Sequence, residues 1–234
     1  MIYVLKMQIV ILCGGLATRL GEIAKNIPKS MINIHGKPFL EHQIGKLKKQ
    51  GLKDIVLCVG HLSNVIEEYF EDGSKFDVNI EYSHDGTEPL GPIGALKKAE
   101  PYLNEQFFIM YGDSYLSVDF QKVYDFFIMF DKLGCMVVYK NSDKYDKSNL
   151  IVKNDMVIGY SDKNRTKDME YIDYGTSLLR KNSLELIPPN KFFSTGKFFS
   201  KLIEKQELLA YEAKDRFYHI GTPAALEELR KFIK

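Results

Sequence analysis

Apolar residues recur along the chain in two rhythms. In the first two-thirds, short and nearly continuous apolar runs alternate with segments whose apolar positions repeat at helical spacing. QIVIL (8–12), DIVLCVG (54–60), VNIEYS (78–83), QFFIMYG (106–112) and CMVVYK (135–140) are the runs. Their unbroken character suits strands covered on both faces, as in a parallel sheet. Helical spacing falls at 38–51, 63–71, 93–100 and 119–133. Ser63 and Asp119 stand as N-caps, and Pro38 suits a first helical turn. Such alternation predicts an α/β fold: a doubly wound, mixed but mostly parallel sheet with right-handed crossovers. Ligands on such sheets sit at the carboxyl ends of the strands.

Beyond residue 148 the rhythm changes. LIVKNDMVIGYS (150–161) reads as a hairpin about Asn154-Asp155, with further short strands at 171–180 and 208–218. Helical segments at 182–187, 197–206 and 223–233 complete the pattern, and the polar stretch 161–171 reads as an exposed loop. No repeat, low-complexity tract or linker interrupts it, so a single domain over 1–234 is expected.

Composition narrows the partners. Lys and Arg number 32 against 31 Asp and Glu, a formal net charge of +1. No global field therefore favours nucleic acid or a membrane surface. The apolar runs fall short of a membrane span, and MIYVLKMQIVIL lacks the small-residue cleavage site of a signal peptide. Cys13, Cys58 and Cys135 are odd in number, widely spaced and without a CxxC pair, which argues against a zinc site or disulfide framework. A reducing cytoplasm is the expected compartment.

The first strand runs into Leu12-Cys13-Gly14-Gly15-Leu16-Ala17-Thr18-Arg19-Leu20, followed by Pro28-Lys29. A glycine pair at a strand end lets the backbone turn and present N–H groups to phosphate oxygens. Arg19 adds a planar fork and Lys29 a mobile point charge. Neither GxxxxGK[ST] nor GxGxxG is present, so the loop is neither a Walker loop nor a dinucleotide fingerprint. A Gly-rich basic surface loop is the plainer alternative, which Thr-Arg and Pro-Lys at this spacing make the weaker one. Asp113 ends the run QFFIMYGD at the edge where ligands bind, and a carboxylate there can hold a hard cation. Its plainer reading is a turn aspartate.

Taken together, GGLATRL and PK resemble the sugar-phosphate nucleotidyltransferases, in which GGxGTRL…PK wraps an NTP triphosphate. GKPFLEHQIGKL (36–47), EPLGPIGAL (88–96), YGD (111–113) and IGTPAAL (220–226) extend the resemblance over essentially the whole chain. The short, single-domain heptose-1-phosphate guanylyltransferase group is the most similar variety. The resemblance implies the Rossmann-like nucleotide-diphospho-sugar transferase fold, with nucleotide bound by about 7–115 and acceptor by about 116–234. It implies that an acceptor phosphate oxygen attacks the α-phosphorus of an NTP and displaces pyrophosphate. Arg19, Lys29 and Asp113 would carry the chemistry, with Mg²⁺ on Asp113. Leu12, Cys13, Gly14, Gly15, Ala17, Thr18, Glu88, Pro89, Gly91 and Gly94 would bind the nucleotide, the start of the helix after Gly91 donating N–H groups to an anion. Tyr111, Asp173, Gly175 and His219 would meet the acceptor. NTP and a small phosphorylated metabolite are then the partners, in activated-sugar biosynthesis for capsule or other surface polysaccharide. Related folds are often homo-oligomers, but the sequence marks no interface.

Three departures stand out. Ala17 replaces the second loop glycine; His219 stands where relatives carry a second metal-binding aspartate; and Asp173-Tyr174-Gly175 replaces Asn-Ala-Gly. Neutral histidine is a poor ligand for Mg²⁺, so one carboxylate suffices, another acid such as Asp215 substitutes, or His219 meets the acceptor. Glu88 can accept from an amino group, which guanine and cytosine offer, so GTP or CTP is favoured. Two alternatives remain: a cytidylyltransferase for a non-sugar phosphate such as a phosphorylated amino compound or alcohol, and a catalytically silent nucleotide-binding regulatory subunit. A metal-dependent glycosyltransferase would carry Asp-x-Asp, whereas this chain has Gly-Asp-Ser-Tyr at 112–115.

Overall fold

The computed structural model describes residues 7–15, 20–21, 26–86 and 90–233. In chain order come β1 (Gln8–Leu12), β2 (Asn33–Ile34), β3 (Lys37–Pro38), α1 (Phe39–Lys49), β4 (Asp54–Val59), α2 (Ser63–Phe70), β5 (Asn79–His84) and α3 (Gly91–Lys98). β6 (Gln106–Tyr111), β7 (Ser114–Tyr115), α4 (Phe120–Phe127), β8 (Gly134–Lys140), β9 (Leu150–Lys153) and β10 (Met156–Tyr160) follow. β11 (Tyr171–Arg180), α5 (Thr195–Glu204), β12 (Leu208–Glu212), β13 (Tyr218–His219) and α6 (Pro223–Phe232) complete the order.

Among the described residues, nine strands form one sheet in the order β5-β4-β1-β6-β11-β8-β12-β10-β9. β5, β4, β1 and β6 pair in parallel, as do β8 and β12, whereas β11 runs antiparallel between β6 and β8. Alternate residues of β1 face opposite sides, which is why the run is apolar throughout. Ile9 and Ile11 meet Leu40 and Ile44 of α1, Ile66 and Phe70 of α2, and Val123 and Phe127 of α4. Val10 lies on the other face, with Ile93 and Leu96 of α3 and Phe198 and Leu202 of α5. Helices on both faces make the sheet doubly wound, and each such side chain stabilises the fold by about 1.5–3 kcal/mol. A third apolar cluster joins Leu226 and Leu229 of α6 to Ile32, Ile34 and Phe39, so the end of the chain packs beside its beginning.

Several expected boundaries move. Ser63 does not cap α2: its N–H bonds the Gly60 carbonyl at 3.1 Å, Leu62 turns left-handed at φ 60°, and the helix starts at Ser63 itself. Asp119 does cap α4, accepting from the Lys122 N–H, but the helix ends at Phe127 rather than near 133. The Arg180 guanidinium takes the Phe130 and Lys132 carbonyls, holding the exit as a turn. Pro38 precedes the first turn of α1 as its N-cap. Segment 182–187 is a 3₁₀ helix over Lys181–Leu186, stopped by Pro188-Pro189. The strand expected over 208–218 ends at Glu212, and Tyr218–His219 leaves the main sheet to pair with β7. Asn154 and Asp155 both adopt positive φ, at 50° and 57°, as a two-residue hairpin turn requires.

Candidate active site

The parallel register brings the ends of four strands to one edge. Leu12 pairs with Cys58 on one side and Tyr111 on the other, and Val59 pairs with His84. The residues that follow these strands, Cys13-Gly14-Gly15, Gly60, Asp85 and Gly112-Asp113, therefore meet at the carboxyl edge. A cavity of about 560 Å³ opens there, a size that suits a nucleotide-sized ligand. Of the residues that the sequence nominates, Leu12, Cys13, Gly14, Gly15, Gly91, Tyr111, Lys29 and Asp113 line it. So do Ser30, Cys58, Asp85, Phe192 and Gly221, which were not foreseen. Ala17, Thr18, Arg19, Glu88 and Pro89 lie outside the described residues.

Lys29 and Asp113 form the charged end. Lys29 opens a 3₁₀ turn after Pro28, and its Nζ lies 2.5 Å from Asp113 Oδ2. Asp113 and its near neighbours in the chain are held from several sides. Ser114 Oγ donates to its Oδ1 at 3.3 Å, and the Ile220 N–H donates to its carbonyl at 3.0 Å. The buried Gln43 of α1 donates from one amide to the carbonyls of Tyr111 and Ser114, at 3.1 and 2.7 Å. Gly112 is needed for contact: a side chain there would bring its first carbon within 2.8 Å of the Leu12 carbonyl and 2.9 Å of Cys13 Sγ. Burial pushes the Cys13 thiol up to about 12, so it is no nucleophile.

Asp85 forms the opposite end, directly after β5. Its Oδ2 stands against Gly14, where a side chain's first carbon would approach to 2.9 Å, and near Gly60 at 3.3 Å by the same measure. Burial pushes its carboxyl up to about 6, against the opposing pull of Lys98 and His84. The predicted strand boundary, one residue early, hid this carboxylate from the strand-end rule.

The remaining predicted residues sit elsewhere. The start of α3 is a poor anion site: Pro92 has no N–H, and the Ile93 N–H bonds the Phe193 carbonyl at 3.2 Å. Gly94 is buried and makes room for the Lys191 carbonyl, 2.7 Å from where its side chain would start, so it serves packing behind the cavity. Asp173 lies one layer behind Tyr111, whose Oη donates to its Oδ2 at 2.9 Å, while the Gly175 N–H donates to Oδ1 at 2.8 Å. Burial raises the Asp173 carboxyl to about 6. Gly175, at φ 95°, sits where β11 shifts register against β8, and a side chain there would strike Ser114 Oγ at 2.8 Å. His219 has both ring nitrogens engaged: Nδ1 accepts from the Gly221 N–H at 2.9 Å, and Nε2 faces Asp146 Oδ2 at 3.2 Å. That leaves no lone pair for a metal. Among the described residues, no three of His, Cys, Asp and Glu gather as a metal cluster, and no helix is long and apolar enough to cross a membrane.

A glycine-turned strand end, a lysine and a carboxylate around one cleft define an enzyme that handles phosphates. The sequence model of the nucleotidyl transferase family matches residues 8–234, and the chain belongs to that family. It is 34% identical to the D-glycero-alpha-D-manno-heptose 1-phosphate guanylyltransferase of Campylobacter jejuni, across 93% of this chain and 96% of that protein. The structure of HddC from Yersinia pseudotuberculosis complexed with GMP-PN superposes with a TM-score of 0.81 at 28% identity, covering 97% of this chain and all of that one. The inositol-1-phosphate CTP transferase of T. maritima shares the fold, with a TM-score of 0.82 at 20% identity over 97% of this chain and 94% of that one. The protein is therefore a nucleotidyltransferase that joins a nucleotide from an NTP to a sugar phosphate.

Proposed function

We propose that this enzyme transfers GMP from GTP to a sugar 1-phosphate of the heptose or mannose type. Asp85 carries the choice of base. An ionised carboxylate accepts two hydrogen bonds side by side, and guanine alone among the common bases offers a ring N–H next to an amino group. Uracil sets carbonyls beside its N–H and would be repelled. Cytosine and adenine pair their amino group with an acceptor. The heptose type of acceptor rests on the Campylobacter relative.

In this reading, one oxygen of the acceptor phosphate attacks the α-phosphorus of GTP in line. The bond from that phosphorus to the bridging oxygen breaks, and pyrophosphate leaves with its electron pair. The acceptor is already an anionic nucleophile, so no side chain need remove a proton. The protein's task is to align two anions and offset their charge. Gly14 and Gly15 allow the triphosphate to approach the backbone. Arg19 would hold the departing phosphates, and Lys29 would turn from Asp113 toward the α-phosphate. The Asp113 carboxylate would hold a divalent cation such as Mg²⁺, a hard ion suited to oxygen ligands. Such a cation would polarise the phosphates and offset their charge. His219 is excluded from that shell by its two hydrogen bonds. Residues 7–115 carry most of the nucleotide site and 116–234 the acceptor side, with Phe192 and Gly221 of the second part also lining the nucleotide cavity. The enzyme would act in the cytoplasm and supply activated sugar to surface polysaccharide.

The test is pyrophosphate release from each of four NTPs with Mg²⁺, against heptose 1-phosphate, mannose 1-phosphate and non-sugar phosphates. Release that requires GTP together with a sugar 1-phosphate is expected. Release from CTP with a non-sugar phosphate would overturn the reading.

A further inference from the structure

Phe192 is a lining residue that the phosphate chemistry leaves unexplained. The residue is 62% exposed, yet it lines the same cavity as Lys29, Asp85 and Asp113. Exposed apolar residues are common and mean little alone. What sets Phe192 apart is how firmly it is presented. The segment that bears it follows Pro188-Pro189 and is stitched to the start of α3 by two backbone bonds. The Phe193 N–H donates to the Leu90 carbonyl at 2.9 Å, and the Ile93 N–H donates to the Phe193 carbonyl at 3.2 Å. Two glycines permit the approach. A side chain on Gly91, which is held at φ 70°, would lie 2.9 Å from the Phe192 ring, and one on Gly94 would lie 2.7 Å from the Lys191 carbonyl. Phe193 is itself buried beneath Ile93 and Leu96, so the segment is anchored through one phenylalanine while the next ring stands at the cavity mouth.

The position of that ring within the cavity identifies its partner. Phosphates belong at the β1–β6 end, where Lys29, Asp113 and Gly221 stand. Asp85, after β5, lines the same cavity with its Oδ2 against Gly14 and Gly60, and the reading above gives it the hydrogen-bonding edge of the base. Gly91, Pro92 and Ala95 of α3 line the same cavity, and the Phe192 ring lies against Gly91. We propose that Phe192 is a stacking residue that covers one π-face of the nucleobase while Asp85 reads its edge. This rests on the assignment of the cavity to GTP made above. An aromatic ring stacks on any base, so Phe192 supplies affinity for the nucleotide and Asp85 supplies the choice among bases. A rigid ring on a fixed segment orders little on binding, which favours affinity.

The experiment measures GTP binding by calorimetry in the wild type and in Phe192→Ala, Phe192→Leu and Phe192→Trp. Loss of base stacking weakens binding by roughly tenfold, within a range of about five- to a hundredfold. The expected result is such a loss in Phe192→Ala and in Phe192→Leu, and near-native affinity in Phe192→Trp, with melting temperatures unchanged. CTP and ATP should lose affinity by the same factor. The chain contains no tryptophan, so Phe192→Trp carries a single indole. Its fluorescence should change saturably with GTP and not with the sugar 1-phosphate alone. Equal GTP affinity in wild type and Phe192→Ala overturns the stacking role while leaving the nucleotide assignment intact. Full affinity in Phe192→Leu, or an indole signal driven by the sugar 1-phosphate alone, also overturns it. If the wild type binds no NTP, the assignment of the cavity falls first.

Discussion

The two halves of the sheet solve recognition in opposite ways. At the parallel half, β5-β4-β1-β6, backbone and small residues form an open edge, and a few charged groups, Lys29, Asp85 and Asp113, face a cavity. At the mixed half, around β11, the polar groups face each other. Asp173 is enclosed by Tyr111 and the Gly175 N–H, and its own N–H bonds Asn149 Oδ1 at 3.2 Å. A nucleotide offers the same phosphates in every relative, so generic donors at strand ends serve it. A network of interlocked side chains is less transferable. Change in one member disturbs the next, and one of the three departures from the family pattern, Asp173-Tyr174-Gly175, falls here.

This contrast predicts that substitutions at the open edge impair chemistry with little loss of stability, while those in the enclosed network do the reverse. Lys29→Ala and Asp113→Ala should each cut kcat/KM by roughly a hundredfold to a thousandfold, the scale of lost transition-state charge stabilisation. Melting temperatures should move little, because a part-exposed ion pair stabilises by only about 0–1 kcal/mol. Near-normal turnover in either variant would remove both from the site.

Asp85→Asn should come next, with about a ten- to hundredfold loss of kcat/KM for GTP and a smaller loss for other NTPs. Only the ionised carboxylate accepts both guanine donors, and burial raises Asp85 to about 6. KM for GTP should therefore fall as pH rises through about 6, and that dependence should vanish in Asp85→Asn. A pH profile unchanged by the substitution would sink the base-reading role.

The smallest effect on turnover belongs to Tyr111→Phe, which removes a donor from buried Asp173. Chemical denaturation should show a loss of about 1–3 kcal/mol. The sign of the pH effect follows from the raised carboxyl. Between about 4 and 6 folded Asp173 keeps a proton that the unfolded chain has released, so its contribution to stability declines as pH rises through that window. Asp173→Asn cannot titrate and should lose that decline. A wild-type-like slope in Asp173→Asn would refute it.

Much of the parallel half was legible because strand and loop chemistry are local. β1 and β6 fall within a residue of their apolar runs, and the glycine pair and Asp113 stand at strand ends by sequence order alone. β5 came out one residue late, and that single step placed Asp85 at the edge. The mixed half was less legible because its contacts depend on register. Tyr111 and Asp173 lie 62 positions apart and meet only once β11 pairs with β6. Phe192 gave no periodic signal, since its segment is fixed by backbone bonds to α3. The apolar stretch after Phe127 read as helix because composition does not show that Arg180 takes the carbonyls there.

The pairing of β13 with β7 has a consequence for synthesis. His219 sits opposite Ser114, and the Ile220 N–H holds the Asp113 carbonyl, so the aspartate's loop is clasped by residues made more than a hundred positions later. A ribosome-bound chain can assemble the parallel edge early, yet its aspartate gains this clasp only when residues 218–221 have left the exit tunnel. The aspartate's loop thus gains this support only after residues 218–221 are made, and a chain cut just upstream of them has the cleft without its clasp.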